Sequence, residues 1–279
     1  MAGAGLFLVV LFFKFGRFVP EKSVSSPAAS AMPAGPMAQQ QATSIDTILF
    51  YAKKELPVPQ INKLEKLEKG LAKGQQTEAQ LNAYHVLAHF WKDSARIFEP
   101  YAWYEAESAR LENSEKSLTF AARLFLENLQ ADQNGSRRQW KALQAKDLYE
   151  RSLKINPDND SAKVGLGACF LFGNISSNPL EGIAMIREVI QRDSTNVYAQ
   201  ITLVKGSLLS GQYDKGIDRL LKVVKIQPSN TEAVLMLADL YERTGDKKKA
   251  IEWYGKSLQL IPTPEIQQAI RERIEELKK

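Results

Sequence analysis

The stretch TEAVLMLADLYERTGDKKKAIEWYGKSLQLIPTP, residues 231–264, decides the fold. Its key residues have counterparts 34 positions upstream. Leu203 precedes Leu237, Gly211 precedes Gly245, Ile217 precedes Ile251, Val224 precedes Leu258, Ile226 precedes Leu260 and Pro228 precedes Pro262. A period of that length, with a glycine midway and a proline at the end, describes two helices joined by a turn. Val234, Leu237, Ala238 and Tyr241 fall at i, i+3, i+4 and i+7, the apolar stripe of a first helix. Thr244-Gly245-Asp246 ends it, glycine being able to take the left-handed conformation that releases the chain. Ala250, Tyr254, Ser257 and Leu258 form the inner stripe of a second helix, which Pro262 stops. Neither helix can bury its stripe alone, so consecutive units must stack around one shared core.

This arrangement resembles the tetratricopeptide repeat family. The family pattern sets Leu-Gly/Ala-x-x-Tyr in the first helix, Gly-Asp in the turn, Ala and an aromatic in the second helix, and a closing Pro. Residues 231–264 follow it except at Val234, where the family often has Trp. The resemblance implies an all-α fold, a right-handed superhelical α-solenoid, and a role in holding protein or peptide partners.

Upstream, the same spacing predicts further units. Asn196 to Asn230 forms one, and Asp160 to Asn196 another, with Leu166-Gly167 and Phe170 at first-helix positions and a long turn at Gly173–Pro179. Trp140 to Ile155 reads as a second helix with Ala145, Tyr149, Ser152 and Leu153 inward, closed by Pro157. Its partner is Ser117–Gln130, with Asp132–Arg138 as an extended turn. Tyr84, Leu87, Ala88 and Trp91 repeat the spacing of Val234, Leu237, Ala238 and Tyr241, with a second helix opening at Pro100. The repeats thus span 78–264, most regular over 141–264. A helical pair precedes them at 44–77, with Ser44 as N-cap, Ile45, Ile48, Leu49 and Ala52 on one face, and Ile61, Leu64, Leu67 and Leu71 as the second stripe. A charged amphipathic helix, 265–279, with Ile266, Ile270 and Ile274 on one side, covers the end.

The N-terminal 20 residues differ in kind. No charge occurs from Ala2 to Phe13, and Lys14 and Arg17 only punctuate an apolar run that continues to Val19. With those two side chains reaching the interface, the run approaches the about 20 residues of a membrane span. We therefore expect a single-pass anchor in the inner (cell) membrane. A cleaved signal peptide is the competing reading, although no basic residue precedes Lys14; a misplaced start or a soluble tail is the third. Basic residues on the C-terminal flank favour a cytoplasmic bulk domain. Residues 21–43, rich in Ser, Ala, Pro, Met and Gln, read as a disordered linker.

The 37 basic and 32 acidic residues give a mild net charge of +5, and they are interspersed. That argues against a nucleic-acid partner. The single cysteine, Cys169, lies in an apolar run and reads as a small buried hydrophobe. His85 and His89 stand at i and i+4, a metal-ligand spacing. Val86 replaces the Glu of a metalloprotease helix, and no third ligand is evident. The sequence has no phosphate-binding glycine loop and no Gly-x-Ser-x-Gly elbow. No enzyme, metal or cofactor is implied.

What remains is the concave groove. The second, fifth, ninth and twelfth positions of each family repeat line it, and here they map to Ser161, Val164, Ala168 and Leu171; to Tyr198, Ile201, Lys205 and Leu208; and to Glu232, Leu235, Asp239 and Glu242. Chaperone-binding members carry a Lys and Asn set that clamps a terminal carboxylate, which this chain lacks. The groove reads as mixed apolar with an acidic end, suited to an amphipathic helix or extended peptide. In that reading Asp239 and Glu242 face water in the free protein. The alternative is that Ile201, Leu208 and Leu235 pack on neighbouring repeats. Two roles follow: a membrane-anchored scaffold or adaptor, or an assembly factor similar to bacterial cytochrome c maturation proteins, without that group's extra domains.

Overall fold

The structure is a computed structural model that describes residues 43–73, 77–176 and 178–279. The expected anchor, and the linker before Thr43, lie outside these residues. Within them the chain is all-α: thirteen α-helices and one π-helical turn, with no strand among the described residues. Also among the described residues, no helix is long and apolar enough to cross a membrane. Contacts divide the chain into a unit of Gln39–Val189 and one containing Ile190–Lys279.

In the first unit, α1 (Ile45–Lys54) starts at Ser44, whose hydroxyl accepts a hydrogen bond from the Thr47 amide at 3.2 Å. Then follow α2 (Val58–Lys73) and α3 (Thr77–His89). Leu64, Leu87, Ala88 and Trp91 are buried together, with Ile61, Leu67 and Tyr84 packed against them. The chain leaves α3 through the π turn Phe90–Ala95, closed by Arg96 in the left-handed region at φ 58°. This irregular exit keeps both Phe90 and Trp91 inside.

Helix α4 (Phe98–Glu112) pairs with the residues before it, and α5 (Glu115–Leu129) with α6 (Gly135–Ile155). Here the structure differs from the sequence expectation. Residues 135–138 are the first turn of α6 rather than the end of an extended turn. The cause is local: the Asn134 side chain accepts from the Arg137 amide at 2.9 Å, and Asp132 accepts from the Asn134 amide at 2.9 Å. These bonds satisfy donors a helix start leaves open.

Below that cap sits a buried ion cluster. The Lys141 ammonium, 1% exposed, donates to Asp132 Oδ2 at 2.6 Å and to Asn128 Oδ1 at 2.5 Å, and lies 2.7 Å from Glu99 Oε1. Arg137 donates twice to the same Asp132, at 2.6 and 2.8 Å. Burial pulls the Asp132 carboxyl upward, but these donors outweigh it and hold the group down at about 2. Helices α7 (Asp160–Phe172) and α8 (Leu180–Arg192) follow. Cys169 is buried among Leu166, Tyr149 and their neighbours, and burial pushes its thiol up, away from thiolate chemistry.

The second unit runs α9 (Val197–Leu209), α10 (Tyr213–Ile226), α11 (Thr231–Arg243), α12 (Lys247–Leu258) and α13 (Pro264–Lys278). Gly211 and Gly245, one period apart, have φ of 69° and 83°, which side chains with a Cβ rarely adopt. A second pair of matching positions has no glycine. Asn196 and Asn230 cap α9 and α11, each accepting from an Ala amide three residues on, at 3.0 and 2.9 Å. Those alanines, Ala199 and Ala233, are wholly buried. Leu237, Ala238, Leu240, Ala250 and Tyr254 fill the core, and Ile266, Ile270 and Leu277 of α13 close it. Glu265, Gln268, Arg271, Glu272 and Glu275 on the other side of α13 face solvent.

Candidate partner-binding surface

Eight of the expected groove positions lie in the second unit, on α9 and α11. The 3.6-residue helical period sets which of them share a face. Tyr198 lies in the first turn of α9 and is 38% exposed. Ile201, one turn on, is 6% exposed and belongs to the core cluster. Leu208 and Leu235 are partly buried and pack against the same cluster. For these three apolar positions, packing on neighbouring helices is what the structure shows, most fully for Ile201. Leu209, beside Leu208, points outward and is well exposed.

The charged positions are brought into pairs. Lys205 Nζ lies 2.9 Å from Glu232 Oε1, a bridge between α9 and α11. Asp239 accepts from Arg243 Nε at 2.6 Å, one turn along α11. Glu242 accepts from Tyr254 Oη of α12 at 3.1 Å and from Arg273 Nε of α13 at 3.1 Å, with a second, close Arg273–Glu242 contact. The expected acidic end is therefore neutralised within the chain, and Asp239 and Glu242 are not free carboxylates facing water. This corrects the expectation drawn from α11 alone. Arg273 lies 31 residues from Glu242 in sequence, and nothing in α11 signals it.

The electrostatics follow from these contacts. Burial pushes the Asp239 carboxyl above the ordinary range, against the pull of Arg243. Burial and then the Glu242 charge push the Tyr254 phenol up, so it stays a hydrogen-bond donor. The Glu242 hydrogen bond raises Arg273 further, fixing it as a cation. The surface can offer apolar contact around Tyr198, Leu208, Leu209 and Leu235, interrupted by ion pairs, and it carries little net charge of its own.

The other groove positions, on α7, are largely internal: Val164 and Ala168 are buried, while Ser161 is exposed and Leu171 half-buried. The histidines have protein partners. Ser108 Oγ lies 3.2 Å from His85 Nε2, and His89 Nδ1 lies 3.2 Å from Asp93. Among the described residues no group of three or more His, Cys, Asp or Glu is placed to hold a metal ion. A cavity of about 310 Å³ in the first unit lies between α1, the start of α4 and the start of α6, with Tyr51, Glu55, Glu99 and Arg137 on its walls. The sequence reading did not anticipate it, since its walls come from three separated segments.

Comparison with known proteins places this geometry in context. Residues 207–272 match the family model described as tetratricopeptide repeat. A curated relative, anaphase-promoting complex subunit 3 of Dictyostelium discoideum, is 29% identical over 97 residues, 34% of this chain and 10% of that protein. A Haemophilus influenzae protein assigned to cytochrome c-type biogenesis, CcmH, is 25% identical over 91 residues, 33% of this chain and 20% of that protein. The chain thus spans a fifth or less of the length of these two relatives. A solved tetratricopeptide repeat protein from Parabacteroides merdae superposes with a TM-score of 0.54 at 14% identity, covering 84% of this chain and 85% of that one, and at that identity the likeness is one of fold. Taken with the paired helices, the period and the left-handed turn glycines, these matches make residues 207–272 tetratricopeptide-repeat sequence, within described residues that are all-α.

Proposed function

We propose that this protein is a non-catalytic, membrane-anchored scaffold or adaptor that holds protein or peptide partners on the exposed surface of α9 and α11. The observation that carries the reading is the mix of outward apolar groups, Tyr198 and Leu209, with internally paired charges. Such a surface suits the apolar face of an amphipathic helix or an extended peptide, because no unpaired buried charge must be matched. Attachment to the inner membrane through residues 1–20 is part of the proposal and rests on their apolar sequence.

A photo-crosslinking residue placed at Tyr198 of the full chain, in detergent-solubilised membranes, tests it. Partners should be captured there and not from a crosslinker at Leu221, which is exposed on α10. The same partners from both positions, or none from Tyr198, would refute the site. A second reading, an assembly factor of cytochrome c maturation, is favoured by the partial likeness to the Haemophilus protein. Capture of components of that pathway from Tyr198 would select it.

A further inference from the structure

Helix α1 has two faces. Ile45, Ile48, Leu49 and Ala52 pack into the first unit. The opposite face carries two large aromatics that the fold leaves largely exposed: Phe50 at 55%, and Tyr51, which also borders the cavity described above, at 60%. They are stacked edge to face, with ring centroids 5.4 Å apart, and the Lys54 ammonium lies 4.1 Å from the Phe50 ring centroid. Val58, at the start of α2, is exposed beside them in sequence. Adjacent exposed aromatics of this size have a desolvation gain that the folded unit does not collect.

Two further observations say what covers this face. The first is its place in the chain. α1 is the first described helix after the apolar run that ends at Val19. The 24 peptide links from Val19 to Thr43 reach at most about 85 Å when fully extended, and a random coil of that length spans about 25–30 Å. Any bilayer holding the apolar run is therefore within reach of α1. The second is its chemistry. Phe and Tyr with a Lys ammonium held over their rings match the headgroup level of a bilayer, where rings are half-immersed and an ammonium can turn to the phosphates. Over residues 44–73 six lysines stand against four acids; Lys53 is paired with Glu68, and Lys54 is the cation set beside the two rings, where it can meet an anionic leaflet.

We propose that the outer face of α1, through Phe50, Tyr51 and Lys54, lies on the surface of an anionic bilayer and orients the first unit against it. The inference rests on the anchoring proposed above and adds a second, interfacial contact to it.

The test uses the full chain in vesicles of phosphatidylethanolamine and phosphatidylglycerol, some with a headgroup-level nitroxide lipid. Cys169 is buried, so a Thr47→Cys substitution on the same exposed face takes a polarity-sensitive fluorophore selectively. A Phe120→Cys control reports from an exposed position on α5. The reporter at 47 should blue-shift on vesicle binding and lose most of its emission to the nitroxide lipid, while that at 120 should do neither. Adding Phe50→Ser and Tyr51→Ser should abolish both effects at 47 while the chain still floats with the vesicles. A chain that floats with an unshifted, unquenched reporter at 47 overturns the contact alone. A chain that does not float overturns the anchoring and the contact with it. A blue shift that grows with protein concentration in the absence of lipid assigns the face to a second copy and also overturns the contact.

Discussion

Replacing Lys141 by Met tests how much of the first unit depends on one buried charge. The substitution keeps an unbranched stem of similar length and removes the ammonium. Lys141 is 1% exposed, as is its partner Asp132, so solvent cannot take over the lost bonds. Removing one member of a buried pair costs about 3–5 kcal/mol, mainly because the other charge is left uncompensated. Arg137 still donates twice to Asp132 and lies 3.3 Å from Glu99, so the lower end of that range applies, about 3 kcal/mol. For a unit of this size that corresponds to a fall of about 6–12 °C in Tm. Urea unfolding at neutral pH, followed by tryptophan fluorescence, reports on the right place: Trp140 is buried one residue away, edge to face with Phe125 and beside Trp103. Adding Asp132→Asn should cost less than the sum of the two single changes, because the first has already broken the pair. A loss below about 1 kcal/mol, the range of exposed ion pairs, would refute the reasoning.

Other outcomes follow from the same contacts. Leu237→Ala should cost about 2–5 kcal/mol, since Leu237 is wholly buried, whereas Lys248→Ala should stay within about ±0.5 kcal/mol; chemical denaturation of both variants checks this. Asp132, held at about 2 in the folded state against an ordinary value near 4, contributes stability that is fully present above pH about 4 and is lost as pH falls toward about 2. Urea midpoints taken down that window should fall less steeply for Asp132→Asn than for the natural chain. Glu242→Gln removes the charge that Arg273 binds and should lower stability by about 1 kcal/mol, as both side chains are partly exposed. Glu242→Lys sets two cations together and should lower it further in the same melts, so a partner lost from that variant is informative only if its helical signal is intact.

Much of the local structure was legible in the residues. Apolar spacing placed the stripe from Val234 to Tyr241, and the two glycines one period apart marked turns that require a left-handed residue. Ser44 announced the start of α1. Asn196 and Asn230 were read from the sequence only as unit boundaries, and it is the structure that shows them as caps, each accepting from an Ala amide three residues on. These features depend on residues within one or two turns of each other, and the helical period carries them. Other features were settled by distant parts of the chain. A lysine in a long polar helix reads as a surface residue, yet Lys141 is enclosed because α4, α5 and the turn before α6 bring three acceptors to it. Glu242 reads as an open groove acid, yet α13 folds back and puts Arg273 on it. Ile201 occupies a groove position by repeat register but lies in the core. Register along one helix says which way a side chain leaves the backbone; whether it meets water, a partner ion or a packed neighbour depends on helices that sequence distance leaves unspecified, and only the tertiary structure decides it.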